Sequence, residues 1–463
     1  MEIDYGIADY AMSVAGKAGL DYAEAYLRYD VDNSYAIEQG IFNGGQYAES
    51  AGLRIRLIKG KKLYTFSTNM LEKKVLDRAI RGFRGFKGID TELSSEPDLH
   101  SSYGVKENAR TKPEDFLDDL SEIDRAMGSL RYVKYRGVYG GFGSGKEYIV
   151  NTEGNTVRSS IPVFSAVVSM SLAEGSDKRD RILQYGIKGS YRNFKALGIM
   201  GDVLDNAKEM HSVMRNGVNM SEDQIKKVRN VVIAPEITGI AVHESVGHPN
   251  EADRIYGREA AQAGTSYLTK DNLGMSIGSG IVSIYDDPTI KNTYGFYMFD
   301  EEGVRAGKRC IVKNGRQNEL LTNREYAHIL GKHSNGSSRS DSYSNEPMVR
   351  MGNTYLGNGT SSLDELVEEA RDGVYIKNFT EWNIDDTRSF SRYQGNVAYM
   401  IKNGRLGKPI KNYRLEKGTL DFWHAVKMLG NDIKLYVGTC GKGEPMQGVP
   451  VTMGGPSVLL SFK

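Results

Sequence analysis

The sequence predicts an α+β fold: a β-rich, two-domain architecture with mixed and antiparallel sheets. Three observations carry this. Glycine occupies 53 of 463 positions, with 28 tyrosines against 11 prolines, a balance that suits many turns between strands better than a helical bundle. Short β-rich runs recur along the chain, separated by turns such as Asn-Gly and Lys-Gly-Lys. The length also exceeds the roughly 250–300 residues at which a single core stops growing, so more than one domain is expected.

Ile7, Tyr10, Ala11, Val14 and Ala18 fall at helical spacing and predict a helix over residues 4–17, with Gly19 as its cap. Strands are expected at 23–28, 34–39, 53–59 and 62–67, with turns at Asn43-Gly44-Gly45 and Lys59-Gly60-Lys61, and then a helix from the cap Asn69 to Arg84. The polar, Ser-rich stretch of about 90–112 reads as a linker. A helix from Pro113 to Met127, strands at 130–138, 146–150, 164–172 and 181–187, and a long helix over 193–214 follow. The same coarse order occurs twice. Residues 1–218 therefore read as an N-terminal α+β domain of two helix–strands–helix halves, a hint of internal duplication. Residues 219–463 form a second, strand-rich C-terminal domain. It opens with an apolar strand at 228–233 and a helix starting at Pro235. Strands and Gly-turns then dominate, interrupted by helices at 323–330 and 362–371. Ser362 and Glu365 form a capping box for the latter.

Charged residues make up 26% and apolar residues 39%, values of an ordinary globular protein, and no apolar run approaches the roughly 20 residues of a membrane span. A net charge of +1 gives no field to recruit nucleic acid. The basic run from Lys73 through Arg81, Arg84 and Lys87 reads as a solvated amphipathic face. Two cysteines cannot build a disulfide framework, and the start Met1-Glu2-Ile3-Asp4 has no apolar core of a leader, so a cytoplasmic location is expected. Gly141-Phe142-Gly143-Ser144-Gly145-Lys146 lacks the Ser/Thr and following helix of a phosphate loop and runs into a strand.

The chemistry concentrates in Ala241-Val242-His243-Glu244-Ser245-Val246-Gly247-His248-Pro249-Asn250-Glu251-Ala252-Asp253. Two histidines with a glutamate after the first suit a catalytic zinc, which needs neutral imidazoles, an open position and a nearby carboxylate. The spacing is i,i+5, however. On a regular helix such a pair diverges by roughly 140°, so the turn must be rewound to bring the rings together. Gly247 is the place for a π-bulge or loosened turn, and Pro249 ends the regular helix.

A third donor has to come from elsewhere. Glu251 and Asp253 either ligate, sit behind the imidazoles and fix a tautomer, or simply cap or solvate the helix end. His328 and His333 repeat the spacing without an adjacent glutamate and read as solvated; Cys310 reads as a small strand hydrophobe. Cys440, within Gly438-Thr439-Cys440-Gly441-Lys442-Gly443, is either a ligand in a Gly-rich turn, its thiolate favoured by Lys442, or a structural residue.

The His243-Glu244-x-x-x-His248 segment with Glu251 and Asp253, Arg350-Met351-Gly352-Asn353-Thr354-Tyr355-Leu356 leading to Ser361–Leu366, and Gly438–Lys442 together resemble the TldD/PmbA metalloprotease family. Phe299-Asp300-Glu301-Glu302-Gly303 and Gly52-Leu53-Arg54-Ile55-Arg56 extend the likeness. The resemblance implies a TldD-type, catalytic subunit with zinc on His243, His248 and Cys440 and Glu244 as general base. It further implies a heterodimer with an inactive, paralogous TldE-like chain and hydrolysis of unfolded or short peptides. The chain departs from the family pattern at Pro249 and Asn250 and across Thr387–Gly395, which bears on substrate preference. The competing expectation is a non-catalytic peptide-binding or regulatory subunit with a structural zinc.

Overall fold

The computed structural model describes residues 4–82, 90–105, 111–257, 259 and 265–463. Helix α1 (Gly6–Lys17) is followed by the antiparallel meander β1 (Tyr22–Glu38), β2 (Ile41–Lys59) and β3 (Lys62–Thr68), and by α2 (Lys73–Arg81). After β4 (His100–Gly104) the pattern returns as α3 (Pro113–Gly128), the meander β5 (Val133–Asn151), β6 (Thr156–Glu174) and β7 (Asp177–Lys188), and the helices α4 (Tyr191–Lys195) and α5 (Ile199–Asn216). The meanders join through their first strands. β1 and β5 pair antiparallel from Glu24–Asn151 to Glu38–Gly137, and β4 and β7 both pair with β6.

Several boundaries differ from those expected, each for a physical reason. Strands expected at 23–28 and 34–39 are one strand, β1, because the polar residues between them pair with β2 and β5 on both sides. The hairpin reverses at Gln39–Gly40, and Asn43-Gly44-Gly45 lies inside β2 near a register shift at Ala36/Ile37. Helix α2 starts after Glu72 rather than at Asn69. The helix expected over 193–214 is two, broken where Gly198 takes φ 64°, a left-handed conformation that other residues rarely adopt. The stretch expected as a linker carries β4, paired parallel with β6. Residues Met1 to Ile3, the expected helix end at Arg84 with Lys87, and residues 106–110 of the linker lie outside the described residues.

Helix α6 (Glu222–Lys227) leads into β8 (Asn230–Ile233), and Pro235 opens α7 (Pro235–Val242). β8 is interior to a 7-stranded sheet, parallel to Gly373–Ile384 and antiparallel to Val458–Ser461. A separate 6-stranded sheet ends with Asn353–Leu356, Gln447–Gly455 and, at its edge, Lys434–Lys442. α7 packs against strands of both sheets, and every residue in it except Glu236 is buried. An apolar sequence on all sides is what a central helix requires. The fold is therefore α+β and strand-rich. Among the described residues no helix is long and apolar enough to cross a membrane.

The first sheet draws only on residues up to 188, and the other sheets only on residues from 230 on. On that ground we propose the division into domains at residues 218 and 219. Buried ion pairs span it. Arg54 meets Glu301 at 2.9 Å, and Arg56 meets both Glu24 at 3.0 Å and Glu302 at 2.7 Å. Arg181 on β7 reaches Glu236 at the start of α7 at 2.7 Å.

Candidate metal centre

β8 carries α7 into the space between the two sheets, and the helix then widens into a π-turn over His243–Gly247, where the His248 N–H donates to the His243 carbonyl. This extra residue is what the i,i+5 spacing calls for. The ring centroids of His243 and His248 lie 4.9 Å apart. A 3₁₀ turn over His248–Asn250, with Pro249 in it, ends the segment. Gly247 has no substitute here. A Cβ at this position would lie 2.1 Å from the Met351 sulfur. We expect Gly247→Ala to cost about 1–3 kcal/mol through overpacking, read as a lowered unfolding midpoint.

Cys440 comes from the edge strand Lys434–Lys442. That stretch is a strand rather than the expected Gly-rich turn, and its period of two buries Gly438, Cys440 and Lys442 on one face. The Cys440 Sγ lies 3.4 Å from His248 Nε2, and His243, His248 and Cys440 each offer a ligand atom within 4.8 Å of the others. All three are buried.

Each donor is held from behind. His248 Nδ1 lies 3.0 Å from Glu251, and His243 Nδ1 lies 3.4 Å from the Thr354 hydroxyl. Glu251 also accepts from Arg254 at 2.8 Å and Lys442 at 3.1 Å. Lys442 in turn binds both Asp253 oxygens at 2.7 Å and the Val349 carbonyl at 2.8 Å. So Glu251 backs His248, Asp253 anchors Lys442, and Lys442 points at these acids rather than at the thiol. The Arg350 guanidinium donates to the Cys440 carbonyl and, at 3.1 Å, to that of Gln447. Arg350, Met351 and Thr354 thus touch the Cys440 backbone, the Gly247 turn and the His243 ring. The sequence marked them only as part of a family-like stretch. The other candidates lie outside this cluster: His328 and His333 are exposed beside Glu92 and Glu96, and Cys310 is half-buried with its thiol on the Val312 carbonyl.

The electrostatics suit a cation. Burial holds both imidazoles below their ordinary value, so they are neutral near pH 7. Burial pushes the Cys440 thiol up, but His248 and the Arg350 guanidinium more than reverse this and bring it to about 7. Burial likewise opposes Glu251 ionisation, yet Lys442, His248 and Arg254 hold its carboxyl well below the usual range. Two neutral nitrogens and a readily ionised sulfur form a zinc-type donor set, and with the Nδ1 atoms engaged, Nε2 is left as the free donor.

Glu244 follows His243 in the π-turn and is buried at the same wall. It forms an ion pair with Arg388, which lies between the strands Gly373–Ile384 and Phe390–Lys402. The sequence marked Arg388 only as part of Thr387–Gly395, where the chain departs from the family pattern, and not as a partner of Glu244, because the two residues are separated by 144 positions and meet only through sheet pairing. His243, Glu244, His248, Arg388 and Cys440 all line one cleft of about 2020 Å³, walled by β7, α5 and the strands Gly373–Ile384 and Lys434–Lys442.

Such a fold, carrying a buried His–His–Cys cluster beside a glutamate, defines a class of metallopeptidase-like chains, and this chain belongs to the PmbA/TldD metallopeptidase family. Residues 226–462 match the PmbA/TldA metallopeptidase C-terminal domain and residues 23–82 its domain 1. The chain is 29% identical to the "Metalloprotease TldD homolog" of Buchnera aphidicola subsp. Acyrthosiphon pisum over 95% of this chain and 92% of that protein. It is 29% identical to the "Zinc metalloprotease TldD homolog" of Saccharolobus solfataricus over 57% of each. Among solved structures, TldE from Thermococcus kodakarensis shares the fold with a TM-score of 0.74 at 16% identity, covering 98% of this chain and 99% of that one.

Proposed function

We propose that the chain is a zinc-dependent peptidase acting on unfolded or short peptides, with His243, His248 and Cys440 as metal ligands and Glu244 as general base. The observation that carries this reading is the convergence of three donor atoms within 4.8 Å, beside a buried carboxylate, in a cleft of about 2020 Å³. A small-molecule pocket is typically about 300–1,000 Å³, so the cleft has room for several peptide residues. The name of the Saccharolobus relative and the donor chemistry both support zinc. Three protein donors match the set used by catalytic zinc sites, where a fourth position serves water.

Zinc held by His243, His248 and Cys440 would supply a Lewis acid that acidifies a water and polarises a scissile carbonyl. The chain's own residues do the rest. A Glu244 carboxylate oxygen takes the proton of the attacking water and passes it to the leaving amine nitrogen. Glu251 and Thr354 hold the Nδ1 atoms of the imidazoles and so fix the ring orientations. The exposed edge of the strand Lys434–Lys442 borders the cleft, and an extended peptide added there would be held by main-chain hydrogen bonds.

The same reading includes a TldE-like partner chain, supported by the family and by the shared fold with the Thermococcus TldE. It also includes a cytoplasmic setting, where Cys440 stays reduced for metal binding. The test is metal content and hydrolysis of an unstructured peptide by the purified chain, with and without its paralogue. Activity lost to a chelator and restored by zinc is expected; full activity without metal would overturn the reading. Glu251→Gln should lower zinc affinity about 10–100-fold, measured by chelator competition, because the His248 ring loses its ionised partner.

A further inference from the structure

A second cavity, of about 440 Å³, lies between the N-terminal sheet and the C-terminal half of the chain, and none of the metal-centre residues lines it. Strands β1, β5 and β6 supply one wall. The other comes from residues between Tyr294 and Glu301, from Arg339 to Ser342, and from Gly448 and Pro450. Lys188, the last residue of β7, is fixed here by its backbone, whose N–H donates to the Thr293 carbonyl at 3.1 Å. Its side chain lines the cavity, and among the described residues its amine has neither a hydrogen bond nor an ion pair.

The groups around this amine do not supply the missing anion. Arg339 lines the same cavity, donates to the Met351 and Pro450 carbonyls at 2.6 and 2.8 Å, lies over the Tyr297 ring at 5.0 Å, and forms no ion pair among the described residues. Those two carbonyls use two of its five N–H donors. The acids nearby are engaged elsewhere. Asp30 pairs with Arg28 at 2.6 Å, Glu147 accepts from the Tyr26 and Ser159 hydroxyls at 2.9 and 2.6 Å, and Glu301 accepts from Arg54 at 2.9 Å and from Ser340. Asp300 accepts three backbone N–H groups at 3.0 Å, and Asp341 accepts from Asn345 at 2.7 Å. Burial, Arg339 and Arg28 outweigh Glu147 and Glu301 and bring the Lys188 amine down to about 7. Two neighbouring cations without a carboxylate, facing open volume, form a site that an anion completes.

The rest of the lining decides what kind of anion. Ile149, Val157, Ile161 and Val163 from the sheet, with Met298 and Phe299, give the cavity an apolar wall that an inorganic ion would leave wet. Its volume falls within the range of about 300–1,000 Å³ typical of small-molecule sites. Asp32 and Ser50, both exposed, mark its opening to solvent. The geometry points to a binding site for a small organic carboxylate with an apolar body, its charged end on Lys188 and Arg339. This site stands independently of the peptidase reading.

The probes are phenylpropanoate, its neutral amide, acetate and inorganic phosphate, with binding to the full chain followed by calorimetry with and without added zinc. Phenylpropanoate should bind about tenfold or more tightly than its amide, the scale of a charged hydrogen bond. It should exceed acetate by at least about tenfold, since each buried methylene contributes roughly a factor of four. Lys188→Met removes the charge and keeps the length, and loss of an unpaired ammonium does not threaten the fold. This variant should weaken phenylpropanoate by about tenfold or more and leave the amide unchanged. A preference for phosphate, equal binding of acid and amide, binding that requires zinc, or an affinity that survives Lys188→Met each overturns the inference. A second measurement needs no variant. Reductive methylation with formaldehyde and cyanoborohydride, read by peptide mass spectrometry, should modify Lys188 in the free chain and be suppressed by phenylpropanoate; labelling of Lys188 that the ligand leaves unchanged places the ligand elsewhere and overturns the assignment.

Discussion

Replacing Glu244 with glutamine is expected to leave zinc bound and the fold intact while lowering kcat for peptide hydrolysis by about 10²–10⁴-fold, the range for removing a positioned general base. The amide is nearly isosteric, still accepts from Arg388 through its oxygen, and lies beside the ligand cluster rather than in it. Metal content by emission spectroscopy should therefore match the wild type, while the unfolding midpoint falls because the buried Arg388 guanidinium loses its anion. KM should move far less than kcat, because the carboxylate acts on the water proton rather than on substrate binding. Full activity in this variant would remove Glu244 from the mechanism.

The part of the site that could be read from the sequence is the part that is local. His243, Glu244 and His248 lie within six residues, so helical geometry alone predicted that the turn had to widen before both imidazoles could meet one ion. Cys440 lies 192 residues from His248 and arrives by sheet pairing, and sequence spacing has no term for that. Its choice as third donor over a structural role came only through family likeness. The residues that hold the donors were less visible still. Thr354 and Arg350 look like ordinary polar residues until the fold puts them against His243 and Cys440, whereas Glu251, three residues from His248, was read from the sequence as a ligand or a support behind the imidazoles; Arg388 becomes significant only when its turn folds over Glu244.

The same division runs through the fold. Helices opened by proline at 113 and 235 and the Lys59-Gly60-Lys61 reversal start and turn where local signals place them. The long strands β1 and β5 were each read as two shorter ones, because their polar and glycine-rich middles look like turns unless neighbouring strands supply the missing hydrogen bonds. Arg54 and Arg56 look like alternating surface charges on a strand, yet both are buried against Glu301 and Glu302. Charge on an outward-facing register is cheap only where nothing packs on that face, and here the second half of the chain does.

Removing the thiol tests the ligand set independently of the base. Structural zinc in small four-ligand sites is bound by about 10–16 kcal/mol, or roughly 2.5–4 kcal/mol per donor, so Cys440→Ala should weaken zinc binding on the order of 10²–10³-fold. Two imidazoles alone would then lose the ion to a chelator that the wild type resists. The backbone at this position is held independently of the sulfur, through the Arg350 contact to the Cys440 carbonyl and the ladder to Val449. The metal-free variant should therefore unfold within about 1 kcal/mol of the metal-free wild type, the scale of a small buried side-chain loss. Cys310→Ala is the matched control. That residue is half-buried, with its thiol turned to the Val312 carbonyl, so its loss should leave zinc affinity unchanged. If Cys440→Ala keeps full zinc occupancy under chelator competition, the sulfur is not a ligand, and its lowered pKa reflects only the charges around it.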